Sequence, residues 1–250
     1  MTLRLPLLPI DPRAPFPDPR GALRVPDGLL AMGGDLSAPR LLNAYRHGIF
    51  PWYTEGQPLL WWCPDPRTVF RTEAIVLSSR FRRSLRRCDW IVRADTAFAE
   101  VIDACAAMPR PGQAGTWITG EMREAYVELH RLGHAHSIEV FDQERLVGGL
   151  YGVAIGRMFF GESMVSLRSG GSKVALAALL RILRGWGWPL LDAQVENPHL
   201  LSLGAELWPR ERFLGAIAPL VVEPSITGDW RMAFGDFSAQ ALAGSKPRGA

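Results

Sequence analysis

Three apolar runs joined by links too short to cross a sheet constrain this chain more than any other feature. Residues 137–141, 146–154 and 158–164 read as strands, separated only by Asp142-Gln143-Glu144-Arg145 and Ile155-Gly156-Arg157. Links of that length predict an antiparallel meander, because parallel neighbours need a crossover of a dozen or more residues. The pattern then changes period. Over residues 172–185 Leu176, Leu179, Leu180 and Leu183 recur at i, i+3, i+4 and i+7, the buried stripe of a helix. Residues 189–194 follow as a short continuous apolar strand closed by Asp192 and Gln194.

A meander, a crossover helix and a further strand is the order of an α+β, N-acetyltransferase-like fold. The flanks add to it. Upstream we expect a strand at 67–71, a helix from Ser78 or Ser79, and a helix capped by Asp95 that buries Phe98, Val101, Ile102 and Cys105. A further helix is expected, capped by Thr119, lined by Met122, Tyr126 and Leu129 and stopped at Gly133. Residues 1–35 are dense in proline and turn signals and predict an extended wrapping segment. A helix capped by Ser37, with Pro39 in its first turn, should bury Leu41, Leu42 and Tyr45 and end at Gly48. The expected division is a small N-terminal domain over 1–66 and a catalytic domain over 67–250, whose last dozen residues read as a disordered tail.

Cys63, Cys88 and Cys105 are odd in number and far apart, which supports neither a disulfide framework nor a zinc site and points to a reducing compartment. Arg4, Pro6 and Pro9 interrupt the apolar N-terminus, so it does not read as a signal peptide. The apolar run at 146–156 has half the length of a membrane span and holds several glycines. A cytoplasmic protein with no membrane association is expected. Net charge is only +3, yet of 28 basic residues only Lys173 and Lys246 are lysines. Arginine binds phosphate through a bidentate fork, although genomic base composition explains the same bias.

Five arginines fall within eight residues at Arg80, Arg82, Arg83, Arg86 and Arg87, with Phe81 and Leu85 at i, i+4 as the packing side. Such a helix is either a solvated face or a contact for an RNA backbone. Trp52 and Trp117 fit no helix stripe and suit either core packing or stacking on an adenine ring. Glu162 and Asp192 interrupt or end apolar strands, where an unpaired charge is costly, so each needs an ion-pair partner or a task. His134-Ala135-His136 lacks a third ligand at metal spacing and reads as structural or hydrogen-bonding. Ser169-Gly170-Gly171-Ser172-Lys173 precedes a helix without being a P-loop; it is a phosphate or ribose contact or simply a loop and cap.

Several stretches together resemble one family. They are residues 28–37, His47-Gly48-Ile49-Phe50-Pro51-Trp52, Trp61-Trp62-Cys63-Pro64-Asp65-Pro66-Arg67, Gly115-Thr116-Trp117-Ile118-Thr119, residues 134–139, Phe160-Gly161-Glu162-Ser163-Met164, Asp192-Ala193-Gln194, and Asn197, His199 and residues 202–205. In this order the chain resembles the leucyl/phenylalanyl-tRNA–protein transferases. The resemblance implies a bacterial cytoplasmic enzyme that moves leucine or phenylalanine, and methionine less well, from aminoacyl-tRNA to proteins with N-terminal arginine or lysine, marking them for N-end rule degradation. It implies no metal and no cofactor, and a monomer is expected. By position, Trp52 and Trp117 would hold the terminal adenosine, and Glu162, with Tyr126 and Asn197, would bind substrate. Asp192 and Gln194 would be catalytic and face the reacting amine, and the arginine helix would meet the tRNA body. Leu150, Phe159, Leu176, Leu179 and Leu191 are the expected aminoacyl pocket. Leu150, Val165 and Leu179 stand where bulkier residues are expected in relatives, and Ala193 where a cysteine can occur, so the pocket should differ somewhat in shape.

An aminoacyl ester is already activated, and an α-amine of pKa ~7.7–8.0 is partly neutral at physiological pH. The expected mechanism is therefore positioning. Asp192 orients Gln194, whose carbonyl oxygen accepts a hydrogen bond from the attacking amine, or else Asp192 only attracts the cationic acceptor. The rival readings are an acetyl-CoA-dependent N-acetyltransferase and a non-catalytic tRNA-binding module.

Overall fold

The computed structural model describes residues 5–108 and 116–244. Two sheets carry the chain. The first, in the order β1-β2-β4-β3, comprises β1 (Leu7–Leu8), β2 (Leu29–Gly33), β3 (Phe50–Pro51) and β4 (Leu60–Trp62). Helix α1 (Ala38–Arg46) follows Ser37 and buries Leu41 and Tyr45, whereas Leu42 is only partly covered. The proline-rich start wraps as expected, and a buried side chain holds it: the Arg40 guanidinium donates to the carbonyls of Pro9, Asp11 and Ala14.

The second sheet runs β11-β5-β10-β9-β8-β7-β6-β12. Its members are β5 (Arg67–Arg71), β6 (Ile91–Ala94), β7 (Ala135–Asp142), β8 (Arg145–Ile155), β9 (Met158–Ser166), β10 (Leu190–Gln194), β11 (Glu206–Trp208) and β12 (Phe237–Ser238). β7, β8 and β9 form the antiparallel meander, and β10 lies parallel to β9 and antiparallel to β5. This is the α+β, N-acetyltransferase-like order expected from the pattern of periods. The β8–β9 turn passes through Gly156 at φ 59°, where a Cβ would come within 2.1 Å of the Leu220 carbonyl oxygen; no other residue fits.

Helices α2 (Ser79–Leu85), α3 (Phe98–Ala107), α4 (Gly120–Arg131), α5 (Gly171–Gly185), α6 (Pro198–Ser202), α7 (Arg210–Leu220) and α8 (Arg231–Phe234) complete the chain. Two apolar clusters hold them to the sheet. One joins α1, α3, α4 and α7 to the first sheet; the other packs α5 against β7, β8 and β9. α5 approaches closely because Gly148 faces Gly171, where a Cβ on either would meet the other's backbone below 3 Å.

Two expectations are corrected. Asp95 does not cap α3: its carboxylate is buried and accepts from the Ser137 and Trp230 amides, while Glu139 on β7 accepts from the amides of Thr96 and Ala97 ahead of the helix. Of the stretch read as a tail, residues 239–242 form a 3-10 turn that buries Ala239 and Leu242 in the α5 cluster; residues 245–250 lie outside the described residues. Among the described residues no helix is long and apolar enough to cross a membrane.

Candidate functional site

The site lies where two strands separate. β9 and β10 pair in parallel only as far as Phe160 and Asp192. There each strand carries a bulge against its other neighbour. On β10 the register steps from Asp192–Val69 to Gln194–Thr68, leaving Ala193 extra; on β9 it steps from Gly161–Gly152 to Ser163–Tyr151, leaving Glu162 extra. A bulge bends its strand and re-aims the side chains beside it. Beyond the paired bulges a cavity of about 550 Å³ opens, and both Glu162 and Gln194 face it.

Glu162 is met by three neutral donors. Its Oε1 accepts from the Tyr45 hydroxyl at 2.7 Å and from Gln194 Nε2 at 2.7 Å, and its Oε2 accepts from the Tyr126 hydroxyl at 2.9 Å. The two tyrosine hydroxyls also touch each other. Burial pushes the Glu162 carboxyl up to about 7, against the opposing pull of the tyrosine and Gln194 hydrogen bonds. Burial and the nearby Glu162 charge also raise both tyrosines well above their ordinary value. Because an ionised carboxylate only accepts, the amide nitrogen of Gln194 must point to Glu162 and its carbonyl oxygen away.

Asp192 is held differently. It is fully buried and bonded in bidentate fashion to Arg67, with Nε to Oδ1 at 2.8 Å and Nη2 to Oδ2 at 2.6 Å. The Arg67 guanidinium lies between the rings of Phe50 and Phe213, at 4.8 and 4.6 Å from their centroids. Although burial opposes the charge, the carboxylate of Asp192 keeps Arg67 above its ordinary pKa. Asp192 Oδ1 also accepts from the backbone amide of Gln194 at 2.9 Å. That bond tethers Gln194 at φ 60°, a left-handed conformation disfavoured for a residue with a Cβ.

Asp192 is not among the residues that line the cavity; its carboxylate holds the backbone of Gln194, as in the expected arrangement where Asp192 orients Gln194, while Glu162 holds the side chain. Tyr126 lies a layer back: it is fully buried on α4 and meets the cavity through its hydrogen bond to Glu162 and its edge-on contact with Tyr151, both of which line it. Gln194, Glu162, Trp52, Trp117 and Asn197 line the cavity, as do all five expected pocket residues Leu150, Phe159, Leu176, Leu179 and Leu191. Asn197 also caps α6, accepting from the His199 amide. Trp52 is half-buried and packs edge-on against Trp62, whose Nε1 donates to the Trp52 carbonyl. Trp117 is 6% exposed and sits just ahead of the Thr119 cap, to which Tyr53 is hydrogen-bonded from the loop between β3 and β4. Gly115, in the same matched stretch, lies outside the described residues.

The arginine helix is α2, but it ends at Leu85, so Arg86 caps it and Arg87 lies in the turn beyond. Arg80, Arg83, Arg86 and Arg87 are exposed, Leu85 packs inward, and Arg82 is partly covered, donating to the Leu77 carbonyl. Among the described residues no carboxylate lies within 4.0 Å of these five cations. Lys173 sits 4.7 Å above the ring of Phe81 on α2, adding a positive charge beside that helix. The Gly170–Lys173 turn is otherwise occupied: the Ser172 amide donates to the Ser166 hydroxyl. His136 is buried, hydrogen-bonded to Asp95 and stacked on Trp230 at 3.8 Å. Among the described residues no cluster could hold a metal ion.

Sequence reasoning missed Arg67, Tyr45 as a donor to Glu162, and Glu196 in the cavity wall. Arg67 opening the strand at 67–71 was the available signal for the first. Tyr45 was readable only as part of a helix stripe.

Two family models match the chain, both described as leucyl/phenylalanyl-tRNA protein transferase: one over residues 69–218 and one, for the N-terminal domain, over residues 34–65. A curated leucyl/phenylalanyl-tRNA–protein transferase from Xanthomonas campestris is 67% identical over 95% of this chain and 96% of its own length. One from Xylella fastidiosa is 62% identical over 94% and 97%. Among solved structures, a functionally unknown conserved protein from Staphylococcus epidermidis aligns with a TM-score of 0.41 at 10% identity over 72% of this chain and 68% of that one. On the family matches and these identities, the chain belongs to the leucyl/phenylalanyl-tRNA–protein transferase family.

Proposed function

We propose that the protein transfers a leucyl or phenylalanyl group from aminoacyl-tRNA to the α-amine of proteins that begin with arginine or lysine, marking them for N-end rule degradation. It works in the cytoplasm as a monomer, without metal or cofactor, and residues 1–66 and 67–250 act as its two domains. The observation that carries this reading is Gln194: its amide nitrogen is fixed by Glu162, and its carbonyl oxygen is free to face a donor in a cavity with an apolar floor.

The aminoacyl side chain lies on Leu150, Phe159, Leu176, Leu179 and Leu191, with the terminal adenosine against Trp52 and Trp117. The tRNA body follows Arg80, Arg82, Arg83, Arg86 and Arg87. The neutral α-amine donates to the Gln194 carbonyl oxygen and attacks the ester carbon. A C–N bond forms, the C–O bond to the ribose breaks, and the proton lost by nitrogen ends on the departing ribose hydroxyl. Asp192 and Arg67 hold the frame and transfer no proton. Rate comes from placing amine and ester in attack geometry.

Incubation with radiolabelled leucyl-tRNA and an Arg-initiated acceptor should place label in the protein fraction. No label from folded enzyme at saturating substrates would overturn the reading. Acetyl transfer from acetyl-CoA in its place would favour the acetyltransferase rival.

A further inference from the structure

Two carboxylates line the cavity, Glu162 and Glu196. The first is already committed to Tyr45, Tyr126 and Gln194. The second is free. Glu196 is exposed in the loop between β10 and α6, and among the described residues no arginine, lysine or histidine lies within 4.0 Å of it.

Its position relative to Gln194 matters. Two residues of chain span at most about 7 Å, so the Glu196 side chain starts close to the group that receives the attacking amine. The first residue of the proposed acceptor carries both that amine and, on a long flexible stem, a positive charge. The floor of the cavity cannot take the charge, because Phe159, Leu176, Leu179 and Leu191 offer it no partner and desolvation would be costly. The remaining direction runs along the wall to Glu196.

Resting on the transfer reaction proposed above, we infer that Glu196 selects the cationic first residue of the acceptor. Its carboxylate receives the guanidinium or ε-ammonium while Gln194 receives the α-amine. The planar fork of arginine makes two hydrogen bonds to a carboxylate and lysine meets it as a point charge, so arginine gains more.

The test uses leucyl-tRNA at saturation and peptides beginning with arginine, lysine or citrulline, the last being arginine's neutral counterpart. Wild type should show a KM for the Arg peptide roughly tenfold below that for the citrulline peptide, as expected for one charge-assisted contact at a partly solvated rim. Glu196→Gln should raise KM for the Arg and Lys peptides to the citrulline level, leaving kcat at saturation and the citrulline KM in place. Glu196→Asp should keep most of the discrimination. Ratios taken within one preparation do not depend on the folded fraction. An unchanged Arg-to-citrulline ratio in Glu196→Gln overturns the inference while leaving the transfer reaction standing. A wild-type enzyme that labels none of the peptides overturns the transfer reaction first, and the two failures are thereby told apart.

Discussion

Asp192 and Glu162 stand on either side of the point where β9 and β10 separate, and the chain compensates their charges in opposite ways. Asp192 is given a full cation: Arg67 takes both its oxygens, and aromatic rings seal the pair. Glu162 is given only neutral dipoles, two hydroxyls and an amide. A buried ion pair is rigid, because removing either partner strands a charge in low dielectric. A carboxyl balanced between burial and neutral donors instead remains poised near physiological pH, here at about 7. One region is a frame for the backbone of Gln194, the other a responsive holder for its side chain.

The largest effect should come from breaking the frame. Asp192→Ala leaves the Arg67 cation between Phe50 and Phe213 without a counter-charge, and urea unfolding should show a loss of ~3–5 kcal/mol. The double variant Arg67→Met with Asp192→Leu should regain most of that stability, since an apolar pair of similar volume can replace a buried ion pair. It should not regain transfer, because the Gln194 amide has lost its acceptor. A single variant that loses less than ~1 kcal/mol would remove the distinction between frame and holder.

Next in size is a pH effect that Glu162 adds to those of the other buried titratable groups. Its pKa is raised from 4.5 to about 7, so folding favours the protonated form. The sign follows: its contribution to stability is complete below pH 4.5 and is lost as pH rises through 7, by roughly 3 kcal/mol in all. Activity should move the other way, since only the ionised carboxylate can accept from both tyrosines and Gln194 at once. Glu162→Gln should remove the Glu162 part of the stability profile between pH 4.5 and 8, leaving the parts due to buried Glu139, whose pKa is also raised, and His136, whose pKa is lowered, and should leave the activity step of the acceptor amine, at ~7.7–8.0. Superimposable profiles for wild type and variant, by urea midpoint and by kcat, would refute the poised carboxyl.

Removing what both regions hold should cost rate more than stability. Gln194→Ala deletes the proposed acceptor for the attacking amine, and kcat at saturating substrates should fall ~10–100-fold, or ~1.4–2.7 kcal/mol of barrier. The urea midpoint should shift only slightly, because the backbone tether to Asp192 survives. Normal kcat in this variant would assign the positioning elsewhere.

The difference between the two regions also marks what could be read beforehand. The meander and α5 were legible because period and link length are local properties: short links force antiparallel neighbours, and leucines at helical spacing force one buried face. The five pocket residues followed from the same strands and helix. The bulges at Glu162 and Ala193 were not legible, since a bulge exists only relative to a partner strand. Tyr45 meets Glu162 across 117 residues and Arg67 meets Asp192 across 125, and nothing local announces either contact. Asp95 misled for a related reason: an acidic residue ahead of an apolar helix has the pattern of a cap, yet Glu139, 42 and 43 residues further on, takes the amides at Ala97 and Thr96. β6, β11 and β12 are two to four residues long and derive their stability from neighbours rather than from their own alternation.

The smallest expected effect lies on the cavity floor, which belongs to neither carboxylate and bears no charge. Leu150, Phe159, Leu176, Leu179 and Leu191 are buried members of the α5 cluster, so the floor is shaped by the same close packing that holds the sheet. Shape is then its sole means of discrimination. A slot for an unbranched Cβ should reject isoleucine by steric clash, but a misplaced methyl group is worth only ~1–3 kcal/mol. We therefore expect kcat/KM for isoleucyl-tRNA about tenfold below that for leucyl-tRNA, near the lower end of that range. The partly buried Met164 also lines the cavity, so Met164→Ala should narrow the ratio by giving the branch room. Because no titratable group takes part, the ratio should hold steady across pH 6–8 while absolute rates follow Glu162. Equal transfer from the two donors, or a ratio that moved with pH, would mean that the floor does not select by shape alone.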